Sequence, residues 1–327
     1  MKTPKFWYNN SSLYKTCLLP LTYLWLLGCY LKKILKKPIK FKVPIICVGN
    51  LIAGGGGKTP LTIQLAKILI RRGYNTHIIK KQYKSSNNRN VLLVKKNSNP
   101  SSVGDEPLLL ANTTKTWLTK NRTLGIHKAI ENGAKIIILD DGYQDHSIIK
   151  DYNILTIKES QKFGNKQIIP AGPLREGIEK GIKKADHIFY YGNKKSFKYE
   201  SFLKNIPITE VKIKKIKKNI LHSIKNKNVL AFTGIAHPNN FFDTLTGYGF
   251  NLLKKLEYPD HYKYSKEDII KIISMSDLFK LSIITTEKDY IKIPINLKKK
   301  IFSIPYELKF DEKEFFKNLK LKISLND

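Results

Sequence analysis

The chain has 327 residues, 42% hydrophobic and 26% charged. That is enough apolar surface for two units with their own cores, and the composition excludes a disordered polymer, a collagen-like repeat and a small disulfide scaffold. Lysine and arginine number 59 against 26 acidic residues, a formal charge of +33, yet only Arg71, Arg72, Arg89, Arg122 and Arg175 are arginine. No zinc-finger spacing, RNP-like strand or helix-turn-helix signature accompanies the lysines. The excess is therefore read as compositional drift toward lysine or as attraction to an anionic membrane surface, with no nucleic acid as partner.

Residues 1–38 read as a separate, membrane-anchoring helix. Residues 16–31 carry no charge and include Leu18, Leu19, Leu21, Leu24, Trp25, Leu26 and Leu27. The run is short for a bilayer crossing, which takes about 20 apolar residues, although lysines snorkelling at both ends stretch a shorter one. Trp7, Tyr8, Tyr14, Tyr23, Trp25 and Tyr30 supply interfacial aromatics. Lys32, Lys33, Lys36 and Lys37 form a basic collar that would put the following residues on the cytoplasmic side. A buried core helix is the alternative. Cys17, Cys29 and Cys47 lack metal-ligand spacing and are read as small buried hydrophobes in a reducing compartment.

Residues 41–49 predict a buried strand, and residues 61–72 a helix with Leu61, Leu65, Ile68 and Leu69 on one face. Between them lies Asn50-Leu51-Ile52-Ala53-Gly54-Gly55-Gly56-Gly57-Lys58-Thr59-Pro60. Strand, glycine-rich loop, Lys-Thr and helix is the order of a P-loop. Residues without side chains let backbone N–H groups close around phosphate oxygens, and a helix N-terminus adds its dipole. ATP would thus lie along Ile52, Ala53, Gly54, Gly55, Gly56 and Gly57, with Lys58 on the outer phosphates and Thr59 on Mg²⁺. Ile52 stands where the strict pattern has glycine, and a flexible glycine turn is the alternative.

A second strand, residues 135–139, runs into Asp140-Asp141-Gly142-Tyr143-Gln144. In P-loop enzymes an aspartate at such a strand end helps hold Mg²⁺ on the nucleotide, which makes Asp140 and Asp141 candidate metal ligands. An Asp-Gly turn without chemistry is the alternative. Strand and helix alternate across residues 41–190, the pattern of an open parallel sheet with ligands beyond the strand carboxyl ends. The fold class is therefore α/β. A P-loop NTPase-like domain is expected over residues 39–211, a basic linker over 212–228 and a smaller α/β domain over 229–327.

Further segments carry a resemblance: Val103-Gly104-Asp105-Glu106-Pro107, Pro170-Ala171-Gly172-Pro173-Leu174-Arg175-Glu176, Gly234-Ile235-Ala236-His237-Pro238, Phe241-Phe242-Asp243-Thr244-Leu245, Tyr258-Pro259-Asp260-His261-Tyr262 and Thr285-Thr286-Glu287-Lys288-Asp289. With the Val48-Gly49-Asn50 turn and the Gly-Lys-Thr-Pro loop, the set closely resembles the tetraacyldisaccharide 4'-kinases of lipid A biosynthesis, the LpxK family. The resemblance implies a kinase at the cytoplasmic face of the bacterial inner membrane. It would move the γ-phosphoryl of ATP, with Mg²⁺, onto the 4'-hydroxyl of an acylated disaccharide 1-phosphate, giving lipid IVA.

By the same resemblance Asp105 and His261 activate the sugar hydroxyl, Lys58 and Arg175 act at the phosphates, and Asn50, Gln144 and Glu176 contact substrate. A monomer is expected. Read without the family, Asp105 is as well an N-cap with Pro107 in the first helical turn, and His261 an ordinary surface histidine. Arg175 is an arginine kept in a lysine-rich chain, which points to a planar donor. Two departures stand out: Lys80-Lys81-Gln82-Tyr83 replaces the family's Ser-Arg-Gly-Tyr, and Asp145 precedes His146, which is left unassigned. A P-loop ATPase or GTPase with a protein or metal partner is the second reading, and a basic membrane-surface binding module the third.

Overall fold

The structure, a computed structural model, describes residues 4–9, 13–82, 90–197, 206–214, 216, 221, 224 and 226–324. Tyr83 and part of the expected basic linker lie outside these residues. After a 3₁₀ turn at Lys5–Tyr8 comes α1 (Leu13–Ile34), followed by β1 (Ile45–Gly49), α2 (Lys58–Arg71), β2 (Thr76–Lys81), β3 (Val91–Val94), α3 (Pro100–Val103) and α4 (Asp105–Ala111). Then come β4 (Thr116–Thr119), α5 (Arg122–Glu131), β5 (Ile136–Asp140), β6 (Tyr152–Lys158), α6 (Ile178–Lys183), β7 (His187–Tyr191) and β8 (Ile208–Ile213). The strands form one nine-stranded sheet in the order β13-β8-β7-β6-β1-β5-β2-β4-β3, where β13 (Leu308–Lys309) joins from far along the chain. Its interior pairs are parallel, and the edge pairs β3–β4 and β13–β8 are antiparallel.

Every residue of β1 and β5 is buried, as a parallel strand covered on both faces requires. Cys47, Leu139 and Leu155 pack on one face with Tyr143 and Phe163. On the other, Ile46 and Val48 pack against Leu61, Leu65, Ile68 and Leu69, the stripe predicted for α2.

The second sheet is smaller and wholly parallel, in the order β10-β9-β11-β12. It is built from β9 (Asn228–Thr233), α7 (Pro238–Gly247), β10 (Asn251–Glu257), α8 (Lys266–Leu278), β11 (Ser282–Thr286), α9 (Glu287–Tyr290) and β12 (Ile301–Ile304). It meets the first unit where Ile291, just after α9, packs on Val94, Val103 and Leu108. The C-terminal segment corrects the expectation that residues 229–327 form one smaller domain. Leu308 and Lys309 pair with β8, and α10 (Glu312–Lys320) buries Phe315, Phe316 and Leu319 beside Tyr152 and Phe189 of the large sheet. Three apolar residues on one face of an otherwise polar helix need a core, and the large sheet supplies it.

α1 packs little against the rest. Thr22 is its buried residue, donating to the Ile168 carbonyl at 3.2 Å, while Trp7 Nε1 donates to the Pro170 carbonyl at 3.1 Å. Leu13, Leu21, Leu24, Leu27 and Leu31 stay exposed, which argues against a buried core helix. Cys17 and Cys29 are exposed with them, so of the three cysteines expected to be buried Cys47 alone is. Among the described residues, no helix is long and apolar enough to cross a membrane.

Candidate active site

β1 is a topological switch point. The chain leaves it through α2 toward β2 on one side, while β6, β7 and β8 build outward on the other, so the carboxyl end of β1 opens a crevice. The glycine loop sits there. A Cβ on Gly56 would fall 2.1 Å from Asn50 Nδ2, and Gly57 has φ +77° with its Cβ direction 2.8 Å from the Tyr191 ring. Only glycine fits either position. Gly57 is the N-cap of α2 and supplies no side-chain cap, so the first N–H groups of α2 are left for an anion.

The loop is braced from two sides. Ala53 N donates to the Pro173 carbonyl at 2.7 Å and Arg175 N to the Leu51 carbonyl at 2.7 Å, joining it to the Pro-Leu-Arg-Glu segment. Tyr191 donates its hydroxyl to the Gly57 carbonyl at 2.7 Å. Asn50, expected among the substrate contacts, is used inside the loop instead. It is 1% exposed, donates to the Gly54 carbonyl and accepts from Lys58 Nζ at 3.0 Å. Gln144 donates to the Asn50 carbonyl at 2.9 Å and to Glu176 at 3.1 Å, and Glu176 also pairs with Lys184.

Charge is concentrated at the end of β5. Asp141, with φ +61°, is held by both guanidinium nitrogens of Arg175, at 2.7 and 3.3 Å, and lies 3.7 Å from Lys58 Nζ. Burial alone would raise the Asp141 carboxyl, but Lys58 and Arg175 outweigh it and hold it well below the usual carboxylate range. Burial lowers the Lys58 ammonium, with Asp141 opposing and Arg175 reinforcing. Asp140 is fully buried and accepts from Thr59 at 3.2 Å, Thr62 at 3.0 Å and Lys80 Nζ at 2.5 Å. Among the described residues no three His, Cys, Asp or Glu side chains form a metal cage. A hydroxyl beside one carboxylate at the loop nevertheless fits Mg²⁺ chemistry, because that ion binds through one or two carboxylates plus substrate phosphates and water.

Lys80 was not among the residues predicted for the site. It stands in β2 opposite Asp140, and its ammonium bridges Asp140 to Glu106 at 2.6 Å. Burial lowers this ammonium, yet the two carboxylates win and raise it. The pairing depends on β2 lying beside β5, an adjacency that no local sequence pattern carries. Glu106 was likewise missed, and the acidic pair at the start of α4 was its one local sign.

Asp105 is the first residue of α4, immediately before Glu106. The N-cap of α4 is Gly104, at φ +88°, so the capping reading of Asp105 does not hold. Its carboxylate instead meets His261 Nδ1 at 2.9 Å, across the boundary between the two units. Burial would raise the Asp105 carboxyl, but the His261 hydrogen bond and the Lys288 charge bring it down to about 2. The hydrogen bond to Asp105 raises His261, against burial and Lys288. His146 is half-buried and outside these contacts, its pKa lowered by burial and by Lys184 and Lys150.

A largely parallel sheet with an open glycine loop at its switch point, a half-buried Lys-Thr pair and a carboxylate at the neighbouring strand end define a P-loop nucleotide-binding protein. Comparison with known proteins narrows the class. The profile of the family described as Tetraacyldisaccharide-1-P 4'-kinase, LpxK, matches residues 14–324. The tetraacyldisaccharide 4'-kinase of Parvibaculum lavamentivorans is 33% identical over 296 residues, covering 88% of this chain and 86% of that one. That of Rickettsia bellii is 34% identical over 295 residues, 89% of each. The crystal structure of LpxK from Aquifex aeolicus in complex with ATP superposes with a TM-score of 0.75 at 26% identity, covering 94% of this chain and 98% of that one. The chain belongs to the tetraacyldisaccharide-1-P 4'-kinase family, ATP-dependent kinases of lipid A biosynthesis.

Proposed function

We propose that Asp105, oriented by His261, is the general base that directs the γ-phosphoryl of ATP onto the 4'-hydroxyl of a tetraacylated disaccharide 1-phosphate. The observation that carries this reading is the 2.9 Å contact between Asp105 and His261, made between the two units, with the next residue, Glu106, joined through Lys80 to Asp140 at the end of β5. As the sugar oxygen bonds to the γ-phosphorus, its proton passes to the Asp105 carboxylate, the bond from the γ-phosphorus to the bridging oxygen breaks, and ADP leaves. A positioned carboxylate of this kind accelerates transfer by about 10²–10⁴-fold.

Lys58 and the first N–H groups of α2 bind the phosphates, and Arg175, fixed on Asp141, presents its charge beside them. Thr59 and Asp140 would hold Mg²⁺, which neutralises phosphate charge when bound. Gln144 and Glu176 shape the wall of the crevice next to the loop and are assigned to the substrate side.

α1 is assigned to the membrane surface. Its exposed leucines and aromatics would enter one leaflet on the cytoplasmic side, with Lys33, Lys36 and Lys37 at the anionic headgroups. All named groups belong to one chain, so a monomer suffices. Residues 39–213 with 308–324 form the nucleotide unit, and 228–304 the smaller one.

The test is incubation with γ-labelled ATP and the disaccharide lipid in mixed micelles. Label in the lipid, lost in Asp105→Ala, is the expected result. Label in free phosphate alone would mark an ATPase and overturn the proposal.

A further inference from the structure

The Thr285-Thr286-Glu287-Lys288-Asp289 segment has no part in the chemistry described so far, yet it lies against His261. Asp289 is fully buried and fastens the segment to the end of β9, accepting from Thr233 at 2.8 Å and from Gly234 N at 3.0 Å. Thr286 caps the short helix α9, accepting from Asp289 N at 3.1 Å. The Gly234 carbonyl in turn accepts from His261 N at 3.1 Å, holding the histidine backbone at φ +62°, a left-handed conformation that a non-glycine residue adopts at a cost. Lys288, 22% exposed, emerges from this frame with its ammonium 3.3 Å from His261 Nε2 and 3.0 Å from Asp260 Oδ1.

An ammonium has three donors and no acceptor. Facing Nε2, it requires that nitrogen to offer its lone pair, so the ring proton must sit on Nδ1, the atom 2.9 Å from Asp105. From this arrangement we infer that Lys288 is a positioning residue, which holds His261 as the neutral Nδ1–H tautomer so that the ring donates to Asp105 and leaves its carboxylate free of a second positive charge. The inference deepens the proposal that Asp105 is the base and rests on it. The charged groups facing the ring are Asp105 from α4, Asp260 from its own loop and Lys288 from α9. Without Lys288, Asp260 Oδ2, 3.8 Å from Nε2, becomes the natural partner of a proton on that nitrogen. The ring would then turn toward the imidazolium or the opposite tautomer, and either one weakens Asp105 as a proton acceptor.

The experiment is ¹⁵N-histidine NMR on the full chain, with the His261 signals assigned by their loss in His261→Gln, compared among wild type, Lys288→Met and Lys288→Arg. In wild type at pH 8 we expect a protonated Nδ1 and a bare Nε2. Lys288→Met should move the proton toward Nε2, raise the pH at which His261 titrates and lower kcat about tenfold or more with little change in KM for ATP. Lys288→Arg should restore all three. A bare Nδ1 in wild type, or an unchanged tautomer and titration in Lys288→Met, overturns the inference. Turnover of Asp105→Ala reports separately on the base: normal turnover there removes the base reading even where the tautomer shifts as expected.

Discussion

Lys80→Met keeps most of the length of the side chain and removes its charge. In the folded protein the ammonium is 9% exposed, between an Asp140 carboxylate with no exposure and a Glu106 carboxylate that is 40% exposed. Removing one partner of a buried ion pair costs about 3–5 kcal/mol, because the remaining charge is left uncompensated. The loss here belongs at the lower end, since Thr59 and Thr62 still donate to Asp140 and Glu106 can turn toward water. About 3 kcal/mol at pH 7.5 is expected, which at about 2.1 cal/mol/K per residue lowers the Tm of a 327-residue chain by roughly 4–5 °C.

The pH dependence has a definite sign. Burial raises Glu106, but Lys80 outweighs it and holds that carboxyl below its usual range. A depressed carboxylate contributes stability that is present above its unfolded pKa of about 4.3 and is lost as pH falls through its folded value. Wild type therefore keeps this contribution down to about pH 4.3. The variant has no such contribution to lose, so the gap between the two proteins should hold from pH 7.5 to about 4.3 and narrow as pH falls further. Urea unfolding followed by circular dichroism, with EDTA present, measures it. Equal stability at pH 7.5, or a gap that does not change with pH, would refute the ion-pair reasoning.

Asp105→Ala should lower turnover by about a hundredfold or more while circular dichroism stays unchanged. Because its carboxyl is held down at about 2, Asp105 stays ionised through the working range, and the acid limb of kcat belongs to His261, raised above 6.5. Activity should rise with pH through that limb, and His261→Gln should abolish it. Arg175→Lys keeps a charge but loses the two-pronged grip on Asp141, and kcat/KM should fall about tenfold. Unchanged kinetics would mean that charge alone suffices. Phe315→Ala, in a side chain packed against Tyr152, His187 and Phe189, should cost about 3–5 kcal/mol in denaturant unfolding. A cost below about 1 kcal/mol would mean that α10 is not part of the large core.

Local sequence determined the phosphate loop, its flanking strand and helix, and the acidic end of β5. Each of these needs a short run of particular residue types: side-chain-free positions where N–H groups converge, a helical apolar stripe, a strand ending in carboxylates. Asp105 and His261 were legible through a family resemblance. Their contact was not, because 156 residues separate them and the sheet order decides that they meet.

The tertiary structure alone decided the rest. Lys80, which reads as a departure at a loop, becomes the counter-ion of Asp140 because β2 lies beside β5. Residues 308–324 return to the large sheet because its β8 edge and aromatic core accept them. Lys288 faces His261 because its neighbour Asp289, a buried carboxylate in the same short helix, fastens that helix to the end of β9. Short-range patterns record which backbone a segment can adopt, whereas pairing of distant charges depends on which strands become neighbours, a choice made by the packing of the whole chain.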